Sequence, residues 1–418
     1  MSALGMFSLK SPSLLKFDSR FRTEWGYKTL KNLFGITTVP SDTQMRTIVD
    51  EIPSSFFHSS FKLLVEFVRK RKKLKKFIFL SSQKINKRPL YLMPVDATGF
   101  FSSSKIECPS CMVKSKGTEK ERYYHQFLGA TIVHPDLKTV LPVGTEPIDN
   151  RFARKAQDCE ISAFKRLIVR IKNLYPKLGL VVSGDGLYAC GTVIDLVEKC
   201  EMGYIFSAKE SRVPLPIKYH RWSKERGLAM EREYVTEEGV KVLKKVTHKF
   251  SYQNGVSLNN SHDKIKTNIL EYREITEWDL KGKEKRKEKK FCWITNITLN
   301  ERNIWKVMRG GRSRWKIENE TFNTLKNQGY NIEHNYGHGK KNLGSNFATL
   351  AFLAFAVDQI QEMNCDLFKE ALKKCGGYRN GLWDVMRVIH HFFIIESWDF
   401  LFLRIITGPI GGCRDGPD

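Results

Sequence analysis

Apolar and polar positions change their spacing along the chain, and the changes mark out its elements. Behind Ser41 or Asp42, either of which can cap a helix, Met45, Ile48, Val49 and Ile52 recur at helical intervals. A second helical stretch at 61–68 leads into the basic segment RKRKKLKK at 69–76. That segment reads either as a solvated helix face or as a phosphate contact. From residue 90 the pattern becomes strand-like. Residues 91–95 run without a break into Asp96, 123–134 form a second strand, and 139–142 a short third. Residues 158–175 return to helical spacing, with Ile161, Phe164, Leu167, Ile168 and Ile171 on one side. A fourth strand at 178–183 ends at Gly184-Asp185-Gly186, a helix follows over 192–200, and a fifth strand covers 203–208. Continuous apolar runs such as 180–183 suit parallel strands buried on both faces, so an α/β core is expected.

Residues 211–300 interrupt this pattern. They are polar, with strand-like pieces at 231–236, 240–250 and 290–298, and read as an inserted, mostly β subdomain. The basic run 281–290, broken by Glu284 and Glu288, reads as a mobile loop. Helix resumes over 301–326, a long apolar helix spans 347–363, and more helices fill the C-terminus before a Gly/Pro-rich tail at 408–418, expected to fray. The expected organisation is a helical N-terminal DNA-binding region (1–88), a first core part (89–210), a β-rich insertion (211–300), a second core part (301–360) and a C-terminal helical region (361–418).

Charge narrows the function. Seventy Lys and Arg against 45 Asp and Glu give a net charge of +25 over 418 residues. Such a surplus repels itself in a compact fold unless a polyanion is near, and nucleic acid is the first candidate. A membrane surface is the rival, but neither an amphipathic anchor nor a lipidation signal is evident. The apolar run 347–357 is too short to span a bilayer, and 392–406 is broken by Glu396, Asp399 and Arg404. The nine cysteines are scattered, with no signal-like segment ahead of them, so a cytoplasmic location is expected.

The chemistry centres on acids. Asp96 and Asp185 each follow an apolar strand, where an unpaired carboxylate needs a cation or a hydrogen-bond network. If their strands are neighbours, the two carboxylates lie close enough to require a metal, and oxygen ligands suit Mg²⁺ or Mn²⁺. Each Asp taken alone could instead cap a turn. Arg314, Glu318 and Phe322 share one helix face, continued by Lys326, so the third acid sits among cations. An ordinary Arg–Glu pair four residues apart is the plainer reading of that face.

At this point a resemblance becomes specific. The stretches DATGFFSSS (96–104), QDCE (157–160), GDGLY (184–188), RWKIENE (314–320) with Leu325-Lys326, and EHNYGHG (333–339) resemble, in this order, DDE-type transposases of bacterial insertion sequences, in the group whose β insertion precedes the catalytic Glu. The resemblance spans about residues 90 to 360. It implies a ribonuclease-H-like mixed sheet and a catalytic, metal-binding trio of Asp96, Asp185 and Glu318. It further implies cleavage at transposon ends with strand transfer into target DNA, binding of double-stranded terminal inverted repeats, a homodimer on DNA, and a nucleoid-associated bacterial location. Arg314, Arg312, Lys326, His334 and His338 are the expected DNA contacts. Around the last acid the group carries a Tyr–Arg–Glu–Lys pattern. Arg314 and Glu318 fit it, whereas Gly311 stands where the Tyr would be and Lys326 comes one residue late. A catalytically decayed or domesticated DNA-binding relative is the alternative.

Three further sets stay open. Cys108 and Cys111, with His125 and His134 beyond them, have the spacing either of a structural zinc site or of a hairpin turn with free thiols. Asp158 and Glu160 open a helix, where they serve its N-terminus or support the active site. Trp305 and Trp315 belong either to the core or to a base-stacking surface.

Overall fold

The computed structural model describes residues 1–85, 88–153, 157–239, 243–262, 264–280 and 283–408. Its centre is one eleven-stranded mixed sheet. The strands are β1 (Ile78–Ile85), β2 (Arg88–Ser103), β3 (Met112–Lys114), β4 (Arg122–Ile132), β5 (Leu141–Ile148), β6 (Gly179–Gly184), β7 (Gly203–Ser207), β8 (Met230–Glu238), β9 (Lys244–Ser257), β10 (Lys266–Leu280) and β11 (Lys283–Thr295). Their order is β3-β4-β2-β6-β7-β11-β10-β9-β8, with β1 also on β2 and β5 also on β4. β2, β6 and β7 run parallel, and every other pairing is antiparallel.

The alternation of side chains divides the core. Leu90 and Leu92 of β2, Val181 of β6 and Ile205 of β7 join one apolar cluster. Tyr91, Met93, Val95, Leu180, Val182, Tyr204 and Phe206 join the other. A period of two sends successive residues to opposite faces, so both faces of the parallel strands are covered. Helices Glu160–Leu174 and Gly191–Lys199 pack on the second face. Helix Leu343–Asn364 and the segment around Glu318 pack on the first.

Most of the expected elements form, and the exceptions are informative. The helix behind Ser41 has a full capping box, in which the Ser41 hydroxyl accepts from the Gln44 N–H and the Gln44 side chain accepts from the Ser41 N–H. Met45 and Val49 of its stripe are buried, but Ile48 is exposed. The third strand is longer than expected and shifted to β5. β2 does not end at Asp96. It continues to Ser103, because antiparallel pairing with β4 carries on after the parallel partner β6 has stopped.

The polar stretch after 211 begins with helix Pro214–Glu225 and contains a strand, β10, that its polar sequence concealed. Its strands extend the central sheet, because β11 pairs with β7. The basic run expected as a mobile loop is strand from Lys283 onward, where it pairs with β10. Residues 281–282 and the tail 409–418 lie outside the described residues. Helix Leu343–Asn364 is long and apolar enough to cross a membrane, but most of it is buried inside the protein.

Candidate active site

Register brings the two aspartates together. β2 and β6 pair in parallel up to Pro94 and Ser183. Asp96 stands two residues further along β2, and Asp185 is the first residue beyond the end of β6. The alternation along β2 puts Asp96 on the face of Leu90 and Leu92. Ile317, Phe322 and Leu325 cover that same face.

The segment that brings Glu318 there is not the uninterrupted α-helix expected over 301–326. Helix Ile304–Arg312 ends in a turn, a π-helical stretch follows over Ile317–Phe322, and α-helix resumes over Asn323–Asn327. Ile317 and Phe322, five residues apart, are both buried. Only the wider π turn puts residues at that interval on one face. Phe322 then lies against Gly129, the residue paired with Asp96 across β2 and β4. A Cβ on Gly129 would come within 2.9 Å of the Phe322 ring. A bare backbone at 129 thus lets the turn carrying Glu318 settle over Asp96.

Arg314 joins two of the acids. Its Nη1 donates to Asp96 Oδ2 at 2.8 Å and to Glu318 Oε1 at 2.5 Å. Asp96 Oδ1 accepts from the Ala97 N–H at 2.9 Å. Burial and then a hydrogen bond to the Glu318 carboxyl together raise the Asp96 carboxyl to about 7, against the pull of Arg314 and the Ala97 N–H. Asp185 Oδ1 accepts from the Leu187 N–H at 2.7 Å, which shapes the GDGLY turn. Tyr188 of that turn is buried and donates to Glu160. Burial raises the Glu160 carboxyl and the nearby Asp185 raises it too, while Tyr188 opposes them. Glu160 therefore belongs to this cluster. Asp158 does not, because it pairs with Arg166 and accepts from the Asp149 N–H.

The donor set suits a hard divalent cation: oxygen ligands, partly buried, with one carboxyl held partly neutral by another. The carboxylates of Asp96, Asp185 and Glu318 are not all within 4.8 Å of one another, whereas Cys108, Cys111, His125 and His338 are the one group of three or more among the described residues that is. The guanidinium of Arg314, bound to both Asp96 and Glu318, stands where added positive charge would sit.

The other expected contacts scatter. Arg312 pairs with Glu274 of β10 and lies over the Phe291 ring, and Lys326 pairs with Glu333 at 2.8 Å. His334 is exposed beside the Tyr336 ring. His338 joins the cysteines instead, while His134 stays apart from them, in a turn with Asp136. Gly311, in place of the expected Tyr, is pressed against Trp293 of β11, whose ring a Cβ there would meet at 2.5 Å. No tyrosine fits that position in this packing. Trp305 packs against Tyr234, His248 and Phe250, but Trp315, next to Arg314, is 42% exposed.

Sequence reasoning missed Tyr188, Gly129 and the place of His338. The only signals were a Tyr inside the GDGLY stretch, a Gly inside an apolar strand, and a His after a glycine.

Fold and site together define a mixed α/β protein with a carboxylate cluster, bridged by arginine, where its central parallel strands give out. No protein-family model matches the chain, and no curated protein matches it.

Proposed function

We propose that this chain is a DDE-type transposase, with Asp96, Asp185 and Glu318 as its catalytic acids. One observation carries the reading: Asp96 lies near the end of the parallel pairing of β2, Asp185 follows the neighbouring strand β6, and Arg314 binds Asp96 and Glu318 while lying within electrostatic reach of all three acids. The strand order β5-β4-β2-β6-β7, three antiparallel strands followed by two parallel ones, supports a ribonuclease-H-like core. The position of β8 to β11 in the chain, between Asp185 and Glu318, supports the group with a β insertion. The +25 charge supports DNA as partner.

In this reading the three carboxylates hold Mg²⁺ or Mn²⁺, which when bound supplies the charge neutralisation an in-line phosphoryl transfer needs. Arg314 holds Asp96 and Glu318 in mutual register and offers positive charge to a phosphate. Trp315 presents an exposed ring beside it. Water cleaves a phosphodiester at the transposon end, leaving a 3′-hydroxyl. That hydroxyl then displaces a strand of target DNA, so one phosphodiester forms as another breaks.

The test is cleavage and strand transfer on a terminal-repeat duplex with Mg²⁺. Asp96→Asn, Asp185→Asn and Glu318→Gln should each lower the rate by at least a thousandfold while duplex binding persists. Binding without cleavage by the wild-type chain, in Mn²⁺ as well, would favour a decayed DNA-binding relative. Cleavage without strand transfer would mean a nuclease.

A further inference from the structure

Away from the acids, four soft ligands converge from three segments that lie far apart in the chain. Cys108 and Cys111 come from the turn between β2 and β3, where the Cys111 N–H donates to the Cys108 carbonyl at 3.0 Å. His125 comes from β4, and His338 from the loop that follows the Glu318 segment. The two sulfurs are 3.5 Å apart. His125 Nε2 is 3.3 Å from Cys108 Sγ and 3.4 Å from Cys111 Sγ. His338 Nδ1 is 3.7 Å from Cys111 Sγ and 3.3 Å from His125 Nε2. A tetrahedral ion with bonds of about 2.3 Å to sulfur and about 2.0–2.1 Å to nitrogen requires ligand-to-ligand edges of roughly 3.3–3.8 Å. Those five edges fall in that range. A disulfide needs its sulfurs at about 2.05 Å, so the pair is not bonded.

We propose that Cys108, Cys111, His125 and His338 bind one Zn²⁺ in a closed, structural site. Two thiolates and two imidazoles select zinc over the hard cations that suit carboxylates. Four protein ligands leave no open position, so the ion holds structure and takes no substrate. The segment it holds is specific. Asp50, in the N-terminal helix Asp42–Glu51, accepts the N–H groups of Lys340, Lys341, Asn342 and Leu343 at 2.8–3.0 Å. Gly339, at φ +67°, lies where a Cβ would run into that carboxylate. The loop after Glu318 is thus gripped by Asp50 on one side and by the zinc ligands on the other. β2, which carries Asp96, leads into Cys108, and β4 carries both His125 and Gly129. The zinc therefore ties the strands beneath the acids to the chain that leaves the third acid.

The inference is independent of the transposase reading. Metal content of the full-length protein, purified without chelator from zinc-containing medium, should be close to one zinc per chain. Cys108→Ser and His338→Ala should each lower it at least fivefold, whereas Cys159→Ser, at an exposed thiol outside the cluster, and Asp96→Asn should not. If the cluster variants fail to fold, cobalt substitution of the wild-type protein decides instead. A tetrahedral thiolate spectrum that zinc bleaches supports the site. A metal-free wild-type protein that neither takes up zinc in titration nor gives that spectrum overturns it. So does a Cys108–Cys111 disulfide in its place. Full zinc retained in folded His338→Ala overturns the four-ligand assignment.

Discussion

Asp96 is the residue whose environment states the chemistry most directly. Its carboxyl is withdrawn from water and shares a hydrogen bond with Glu318, and these effects outweigh the guanidinium of Arg314. A carboxyl raised in the folded state favours the fold while it is protonated and loses that contribution as it ionises. For the metal-free protein the window runs from the ordinary value of 3.8 up to about 7. The stability of the wild type relative to Asp96→Asn should therefore decline as pH rises through that window and level off above it. Chemical denaturation of both proteins in chelator, at a series of pH values, gives the difference and cancels the titrating groups that do not touch Asp96. A flat difference would mean that Asp96 ionises at its ordinary pH. Mg²⁺ should stabilise the wild type more at the alkaline end than at the acid end, because only the ionised carboxyl attracts it.

At the scale of elements, the site depends on how one irregular turn docks on one strand. The π-helical stretch Ile317–Phe322 adds a residue to its turn and so presents Ile317 and Phe322 to the sheet together. Phe322 reaches the sheet because Gly129 has no side chain. Burying a Phe contributes about 1.5–3 kcal/mol, so the contact is a strong determinant of where the turn lies. Gly129→Ala forces a methyl group into that contact. Overpacking of this kind costs about 1–3 kcal/mol, and a shift of about 1 Å in a catalytic group can cost about a hundredfold in rate. The variant should remain folded, with a lowered denaturation midpoint and a cleavage rate reduced far more than its affinity for duplex DNA. Unchanged cleavage would show that the position of Glu318 does not depend on this docking.

At the scale of the whole molecule, the N-terminal turn and the C-terminal helices meet at the same core helix. Lys10, wholly buried, reaches Asp358 of helix Leu343–Asn364 at 2.5 Å, and Tyr330 donates to the same carboxylate. The Lys10 ammonium also lies 4.4 Å from the centre of the Tyr330 ring and 4.3 Å from that of Trp383. One buried pair thus joins the N-terminal turn, the central helix and the C-terminal helices. Removing one partner of such a pair leaves an uncompensated buried charge and costs about 3–5 kcal/mol. Lys10→Met should lower thermal stability accordingly, and adding Asp358→Leu should restore much of the loss. Additive losses in the double variant would show that the two charges are not coupled.

The sequence alone determined the elements whose cause is local. The cap at Ser41, the helical stripe from Phe164 to Ile171 and the apolar runs of β2 and β6 follow from spacing and side-chain chemistry within a few residues. The two candidate aspartates were legible for the same reason, since an acid at the end of an apolar run stands out. Tertiary structure decided what distance along the chain conceals. β10 was concealed because Glu271, Arg273, Glu274 and Glu277 interrupt its apolar positions; Ile269, Leu270 and Tyr272 are buried only through pairing with the strands on either side. The docking of the π turn on Gly129 and the capture of Gly311 by Trp293 depend on partners 18 or more residues away. His338 met the cysteines only because folding brings its loop beside β4, and no spacing rule relates residues more than two hundred positions apart.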